Sequence, residues 1–206
     1  GDYVIGRGVE DNHMAIVSSV MAAKGFMDAG VAPRFNLGLL LVADEETGSK
    51  YGMDYVNRFH ADLFGPEDLF LIPDFGVFDG ADVEVAEKSI MWLKITVLGK
   101  QCHASAPHEG VNSLLATAAL IMKLRGLYQA FDRRDDLFKP PFSTFEPTKK
   151  EANVENVNTI PGKDVFYLDC RVLADYDLDE VFDAIRAEGA AIEAEYGVRV
   201  EYADGF

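Results

Sequence analysis

Apolar residues recur at helical spacing from position 12 to position 29, and Gly30 and Pro33 follow them. This pattern predicts a helix that ends before Gly30. Two short apolar runs come next, at positions 36–42 and 69–72, and an aspartate stands two positions after the end of each. Such runs are typical of strands that are buried on both faces. The first part of the chain therefore predicts strands and helices that alternate as in a parallel α/β sheet, with carboxylates at the carboxyl ends of the strands.

The pattern changes near position 89, where apolar and polar residues begin to alternate. The predicted elements are strand 89–98, turn-rich loop 99–110, helix 111–131, strand 143–149, strand 165–173, helix 178–196 with Asp177 as its cap, and strand 198–202. The order β-α-β-β-α-β is that of a ferredoxin-like unit. We therefore expect two domains, with residues 1–88 in a mixed or parallel α/β domain and residues 89–206 in a ferredoxin-like domain.

The composition excludes several classes of protein. The sequence has 19 Lys and Arg against 35 Asp and Glu, a net charge of −16 at pH 7, which argues against a partner recognised through nucleic-acid phosphates. No apolar run reaches the roughly 20 residues needed to cross a bilayer. The sequence starts without the pattern of a signal peptide, and its two cysteines, Cys102 and Cys170, are far apart. We therefore expect a cytoplasmic protein with reduced thiols and with neither a membrane nor a nucleic-acid partner.

Four carboxylates fall at the predicted junctions between strands, loops and helices: Asp11, Glu45, Glu46 and Asp74. We expect them to converge at one edge of the predicted sheet, where like charges repel unless a cation is bound. Oxygen ligands suit divalent metals, and a metal-bound water has a pKa of about 7, so that a carboxylate outside the coordination shell can take its proton. Plainer roles stay open: Asp11 as a helix cap, the glutamates as solvated loop residues, and Asp74 as the start of a turn.

Four short motifs occur in order along the chain. They are residues 6–11 (GRGVED), 43–48 (ADEETG), 99–107 (GKQCHASAP) and 158–162 (NTIPG). Together they resemble the M20 metallopeptidase family, which includes succinyl-diaminopimelate desuccinylases, acetylornithine deacetylases, glutamate-releasing carboxypeptidases and aminoacylases. The resemblance covers essentially the whole chain. It implies a hydrolase that cleaves the amide bond of N-acyl amino acids or small peptides by metal-activated water, with zinc, or alternatively cobalt, as the cofactor.

The resemblance assigns the carboxylates of residues 1–88 to the catalytic domain. It makes Asp11 the bridge between two metal ions, Glu45 the general base and Glu46 a metal ligand. Asp74 falls where the family has a further acidic ligand, and because several relatives have glutamate there, the shorter side chain is a departure from the pattern.

The resemblance makes residues 89–206 the lid, or dimerisation domain, through which a homodimer forms. His103 matches a lid histidine that stabilises the oxyanion in the partner subunit's active site. Asn158 matches an asparagine near the substrate, and Arg171 matches an arginine that holds a substrate carboxylate. An arginine on a strand also suits a structural ion pair, and both roles stay open for Arg171.

Two features of the family are absent from this sequence: the His-x-Asp motif before the bridging aspartate, and the metal-binding histidine after the lid. We therefore expect a fragment that is inactive by itself. The leading hypothesis is that its parent protein is a dinuclear metal hydrolase, and the alternative is a non-catalytic dimerising or binding module. The sequence does not choose among a succinylated diamino acid, an acetylated amino acid and a dipeptide as the substrate.

Overall fold

A computed structural model describes residues 2–74, 76, 77 and 79–205. By its internal contacts the chain divides into two compact units, Gly1–Glu84 and Val85–Phe206. Among the described residues, none of the helices combines the length and the apolar character that crossing a membrane requires.

The described residues of the first unit form two α-helices and two short 3-10 turns. Helix α1 is His13–Asp28 and helix α2 is Met53–Phe59, while the 3-10 turns are Glu45–Thr47 and Ala61–Leu63. The helix predicted from the spacing of apolar residues at 12–29 is confirmed, because α1 begins and ends within one residue of those bounds.

The strands predicted at 36–42 and 69–72 are wrong, since neither segment forms a strand in the described part of the chain. Their side chains are exposed: Leu41 keeps 61% of its surface accessible and Leu71 keeps 86%. A strand exists only through hydrogen bonds to a neighbouring strand, and the described residues of this unit offer neither segment such a neighbour. The predicted parallel sheet is therefore not formed, although both segments have the composition of buried strands.

The second unit has the predicted ferredoxin-like order. Its elements are β1 (Ser89–Leu98), β2 (Cys102–His103), the 3-10 turn Pro107–Glu109, α3 (Ser113–Leu124), α4 (Leu127–Ala130), β3 (Thr144–Lys150), β4 (Thr159–Ile160), β5 (Lys163–Val172), α5 (Leu178–Tyr196) and β6 (Arg199–Asp204). The main sheet has the order β3-β5-β1-β6, and every neighbouring pair is antiparallel. The α/β class and the ferredoxin-like arrangement are thus confirmed.

Local signals account for the helix bounds. The carboxylate of Asp177 accepts a hydrogen bond from the backbone N–H of Asp179 at 2.9 Å, which caps α5 as predicted. The helix predicted at 111–131 is instead two helices, α3 and α4. Gly126 lies between them, and glycine is the poorest helix former after proline, so the predicted single helix is interrupted there.

The core of the second unit lies between one face of the sheet and helices α3 and α5. Alternate residues of β5 are almost fully buried in it, as their spacing predicts: Phe166, Leu168, Cys170 and Val172. The other face of β5 carries Tyr167, Asp169 and Arg171, which are half-buried. A strand presents successive side chains to opposite faces, so this one strand supplies both the core and an outer polar surface.

Candidate active site

Asp11 ends a loop that is held against the start of helix α1. The backbone N–H of His13 donates to the carbonyl of Gly8 at 2.7 Å. Gly8 has a φ of +76°, and a Cβ there would lie 2.9 Å from Cε1 of His13, so both the backbone conformation and the close approach of the ring require glycine. The residue before the helix is Asn12, and it makes no side-chain cap bond. Asp11 therefore does not cap α1, and its carboxylate is left for other contacts.

Asp44 shapes the turn that carries the two glutamates. It has a φ of 56°, and its carbonyl accepts hydrogen bonds from the N–H groups of Thr47 at 3.1 Å and Ser49 at 2.9 Å. Its carboxylate accepts a further bond from the N–H of Tyr51 at 2.9 Å. The sequence pattern does not distinguish Asp44 from the acidic residues that follow it, although aspartate is favoured where a turn needs a left-handed residue that bonds its own backbone.

The predicted carboxylates lie in one neighbourhood of the first unit. The interaction with the Asp11 carboxylate raises the pKa of Glu46, and the charges of Glu45 and Asp74 and some loss of hydration act in the same direction. The amide of Asn12 donates to Asp74 at 2.7 Å, which holds Asp74 beside the Asp11 loop. The carboxylates thus come together through turns and loops rather than at a sheet edge.

An open cleft of about 800 Å³ contains Asp11, Glu45 and Glu46, with Arg7 and Thr47 also in its lining. Among the described residues, no three His, Cys, Asp or Glu side chains are placed so that they could hold a metal ion. Zinc sites in proteins ordinarily have about three or four protein ligands. The described residues therefore supply oxygen donors of the right chemistry but do not complete a metal site.

A two-stranded sheet brings His103 and Asn158 together in the second unit. Strands β2 and β4 pair His103 with Thr159, and the backbone N–H of Ala104 donates to the carbonyl of Asn158 at 2.8 Å. The side-chain nitrogen of Asn158 lies 3.3 Å from Nε2 of His103. The two strands have two residues each and carry no periodic signal, so the sequence pattern did not predict this sheet.

Ser105 contacts the other nitrogen of the His103 ring. Its hydroxyl oxygen is 2.7 Å from Nδ1 of His103, and its backbone N–H donates to the same nitrogen at 3.2 Å. Both residues are exposed. Nothing in the sequence pattern pointed to Ser105, since a serine in a turn-rich loop has many other roles.

Arg171 is engaged by its own strand. Its Nε and Nη2 atoms donate to the two carboxylate oxygens of Asp169 at 2.9 and 3.1 Å, and this bond raises the pKa of Arg171. The indole N–H of Trp92 donates to the same carboxylate at 2.6 Å, and the guanidinium lies 5.6 Å from the centre of the Trp92 ring. The sequence left two roles open for Arg171, a bond to a substrate carboxylate and a structural ion pair. The structure contains the ion pair, with Asp169 as the partner.

The second unit matches a known domain. The family model described as the peptidase dimerisation domain of the M20 type matches residues 85–197. This match and the ferredoxin-like fold of the second unit define it as a peptidase dimerisation domain. The chain belongs to the M20 metallopeptidase family, as its four motifs predict.

Relatives match both units. An uncharacterized metallohydrolase of Methanococcus maripaludis is 46% identical over 184 residues, which are 88% of this chain and 44% of the relative. An uncharacterized metallohydrolase of Methanocaldococcus jannaschii is 44% identical over 184 residues, which are 88% of this chain and 45% of the relative. A succinyl-diaminopimelate desuccinylase of Maricaulis maris is 27% identical over 95% of this chain and 50% of its own length. The chain thus spans about half the length of the curated relatives it matches.

Proposed function

We propose that the whole protein to which this chain belongs is a zinc-dependent hydrolase that cleaves the amide bond of an N-acyl amino acid or small peptide. The observation that carries the proposal is that Asp11, Glu45 and Glu46 line one open cleft, where the neighbouring carboxylates, Asp11 most strongly, raise the pKa of Glu46. Relatives of this chain are named metallohydrolases and desuccinylases, which supports a metal cofactor and an acylated substrate. Zinc is proposed as two ions per site, with cobalt as the alternative metal.

The carboxylates of the cleft are proposed to have two kinds of role, as metal ligands and as a general base. Carboxylates that lie this close repel one another when ionised, and a bound cation would offset their charge. Asp11 and Glu46 are therefore proposed as metal ligands, with Asp74 as a further oxygen donor. Asp11 raises the pKa of Glu46 more strongly than Glu45 does, so the closer coupling is between Asp11 and Glu46. This difference supports Glu45 as the general base that carries a proton to the leaving amine.

The remaining metal ligands are proposed to lie in the other part of the whole protein, because the described residues do not complete a site. The exposed apolar segments 36–42 and 69–72 support the same proposal. Both have the composition of buried strands and lack a neighbour here, so strands from that other part would cover them.

The partner is proposed to be a second copy of the protein, paired through the dimerisation domain at residues 85–197. His103 would then stabilise the oxyanion in the other subunit's active site, and Asn158 would lie near the substrate. For Arg171 we favour the ion pair with Asp169 over a substrate carboxylate, because two of its donors are already engaged. A cytoplasmic location is also proposed, since Cys102 and Cys170 are both free thiols.

A second candidate is that the 206-residue chain by itself is a non-catalytic dimerising module. The incomplete set of metal donors favours this function for the isolated chain. It is compatible with a catalytic whole protein, because the two hypotheses concern different lengths of chain.

The test is hydrolysis by the whole protein and by the 206-residue chain, each offered an N-succinyl diamino acid, an N-acetyl amino acid and a dipeptide. We expect the whole protein to hydrolyse one of these, to lose activity on chelation, and to regain it when zinc or cobalt is added back. The 206-residue chain should be inactive in every condition. Hydrolysis that resists chelation, or hydrolysis by the isolated chain with bound zinc, would contradict the proposal.

A further inference from the structure

The contacts of the His103 ring decide which of its nitrogens carries a proton. A backbone N–H can only donate, and the N–H of Ser105 points at Nδ1 of His103. Nδ1 must therefore accept, which requires a lone pair and leaves no proton on that nitrogen. In a neutral imidazole the single proton then lies on Nε2.

The hydroxyl of Ser105 also favours a His103 ring without a proton on Nδ1. It is 2.7 Å from Nδ1, shorter than the 3.2 Å bond from the backbone of the same residue. Because Nδ1 carries no proton, the hydroxyl must be the donor in this contact. The position of Ser105 is fixed by a turn in which the N–H of Ala106 donates to the carbonyl of His103 at 2.9 Å. One residue thus directs two donors at one ring nitrogen.

The opposite nitrogen then presents its proton to Asn158. The amide nitrogen of Asn158 is 3.3 Å from Nε2, but two donors cannot bond each other. Rotation of the amide by 180° places its oxygen opposite the Nε2 proton and satisfies both groups. Asn158 therefore acts as the acceptor that holds this proton in the absence of substrate.

We propose that Ser105 is a positioning residue that keeps the His103 ring in the form protonated on Nε2, with that N–H directed towards Asn158. His103 is exposed, so water competes for hydrogen bonds to both of its ring nitrogens. The hydroxyl of Ser105 makes a shorter bond to Nδ1 than the backbone N–H of the same residue does, and it therefore holds the ring more firmly. The use of the Nε2 proton as a donor to an oxyanion rests on the proposed function. The tautomer itself does not.

The test is the long-range ¹H–¹⁵N spectrum of the ¹⁵N-labelled 206-residue chain, which reports the protonated nitrogen of each histidine. We expect His103 to carry its proton on Nε2 in the unsubstituted chain. Ser105→Ala should increase the share of the other tautomer, and Ser105→Thr, which keeps a hydroxyl, should restore the original spectrum. His108, whose side chain is 78% exposed, serves as the internal reference.

Ser19→Ala is the control variant, because it removes a serine hydroxyl that bonds the carbonyl of Ala15 in the first unit. It should leave the His103 signals unchanged. A His103 ring protonated on Nδ1 in the unsubstituted chain would overturn the proposal. So would identical His103 tautomers in Ser105→Ala and the unsubstituted chain, since the backbone alone would then hold the ring.

Kinetics on the whole protein separate this inference from the proposed function. Ser105→Ala should lower kcat about tenfold without changing KM, less than the roughly 10²- to 10³-fold loss expected when an oxyanion donor is itself removed. If the spectra follow the expectation and the whole protein hydrolyses none of the substrates, the tautomer assignment stands and the proposed function fails. If the whole protein is active and the His103 spectra do not respond to Ser105→Ala, the positioning role of Ser105 fails and the proposed function stands.

Discussion

Asp164 and Lys150 form an ion pair in which the carboxylate is completely buried while the ammonium group is partly exposed. The amide of Asn153 donates to the second oxygen of the same carboxylate at 2.8 Å. Asp164 thus joins strand β5 to the end of β3 and to the start of the loop that leads to Asn158. A buried carboxylate is tolerated only when it is paired and hydrogen-bonded, and here both conditions are met.

Asp164→Ala should lower the free energy of unfolding by about 3 kcal/mol, because breaking a buried ion pair also removes its hydrogen bonds. Urea denaturation followed by the fluorescence of Trp92, the single tryptophan, measures this change in the second unit. Asp183→Ala is the matched control, since its side chain is 75% exposed and lies 3.8 Å from Arg186. It should change stability by less than about 0.5 kcal/mol. Equal losses in both variants would contradict the structural role of Asp164.

Gly189 in helix α5 makes room for Tyr202 of strand β6. A Cβ at position 189 would lie 1.8 Å from the Tyr202 hydroxyl. Gly189→Ala should therefore lower stability by about 1–2 kcal/mol, even though alanine is the better helix former by about 1 kcal/mol. The measurement is the same urea titration.

A second substitution tests the cause of that loss. The Tyr202 hydroxyl is buried without a hydrogen-bond partner among the described residues, and burial raises the pKa of Tyr202 to about 12. Tyr202→Phe should therefore cost no stability by itself, and it should restore most of what Gly189→Ala removes. Additive effects of the two substitutions would show that the hydroxyl is not the source of the clash.

The ion pair of Lys94 and Glu151 should make stability depend on pH in a defined direction. Hydrogen bonds from Lys94 and then Tyr167 lower the pKa of Glu151 below 4.5, so its contribution is present above pH 4.5 and is lost as the pH falls through the lower value. The bond to Glu151 raises the pKa of Lys94 above 10.5, so the contribution of Lys94 is present below pH 10.5 and is lost as the pH rises further.

Thermal unfolding of Glu151→Gln tests this direction. The variant should have a lower Tm than the unsubstituted chain at neutral pH, and the difference should shrink on acidification below pH 4.5. The substitution Glu155→Gln, at an exposed position in the same loop, should give no comparable difference at any pH. A Tm difference that grows as the pH falls would have the wrong sign for a depressed pKa.

The sequence predicted the second unit well because its signals are local. The bounds of β1 and α5 agree with the predicted strand 89–98 and helix 178–196, since alternation and helical spacing directly reflect which side chains are buried. The strands expected at 36–42 and 69–72 failed for the opposite reason. Apolar composition indicates that a segment is suited to burial, but a strand also needs a neighbour, which no local pattern specifies.

The candidate site was predicted by its motifs rather than by periodicity. His103 lies in a two-residue strand and Asn158 directly precedes another. No window of hydrophobicity detects strands this short, so only the residues of the two motifs identified these positions. Asp44 and Ser105 were missed because they act on the residues beside them. Their importance becomes evident only when the direction of each hydrogen bond is known.

The measurement that tests the central claim most directly is metal content and turnover, determined side by side on the whole protein and on two of its variants. Glu45→Gln should keep the metal of the unsubstituted protein and lose about 10²- to 10⁴-fold in turnover, because it removes the general base. Glu46→Gln should lose metal as well as activity, because it removes the carboxylate proposed to share the metal site with Asp11. Equal metal loss in both variants, or full turnover in either, would contradict the assignment of the two glutamates.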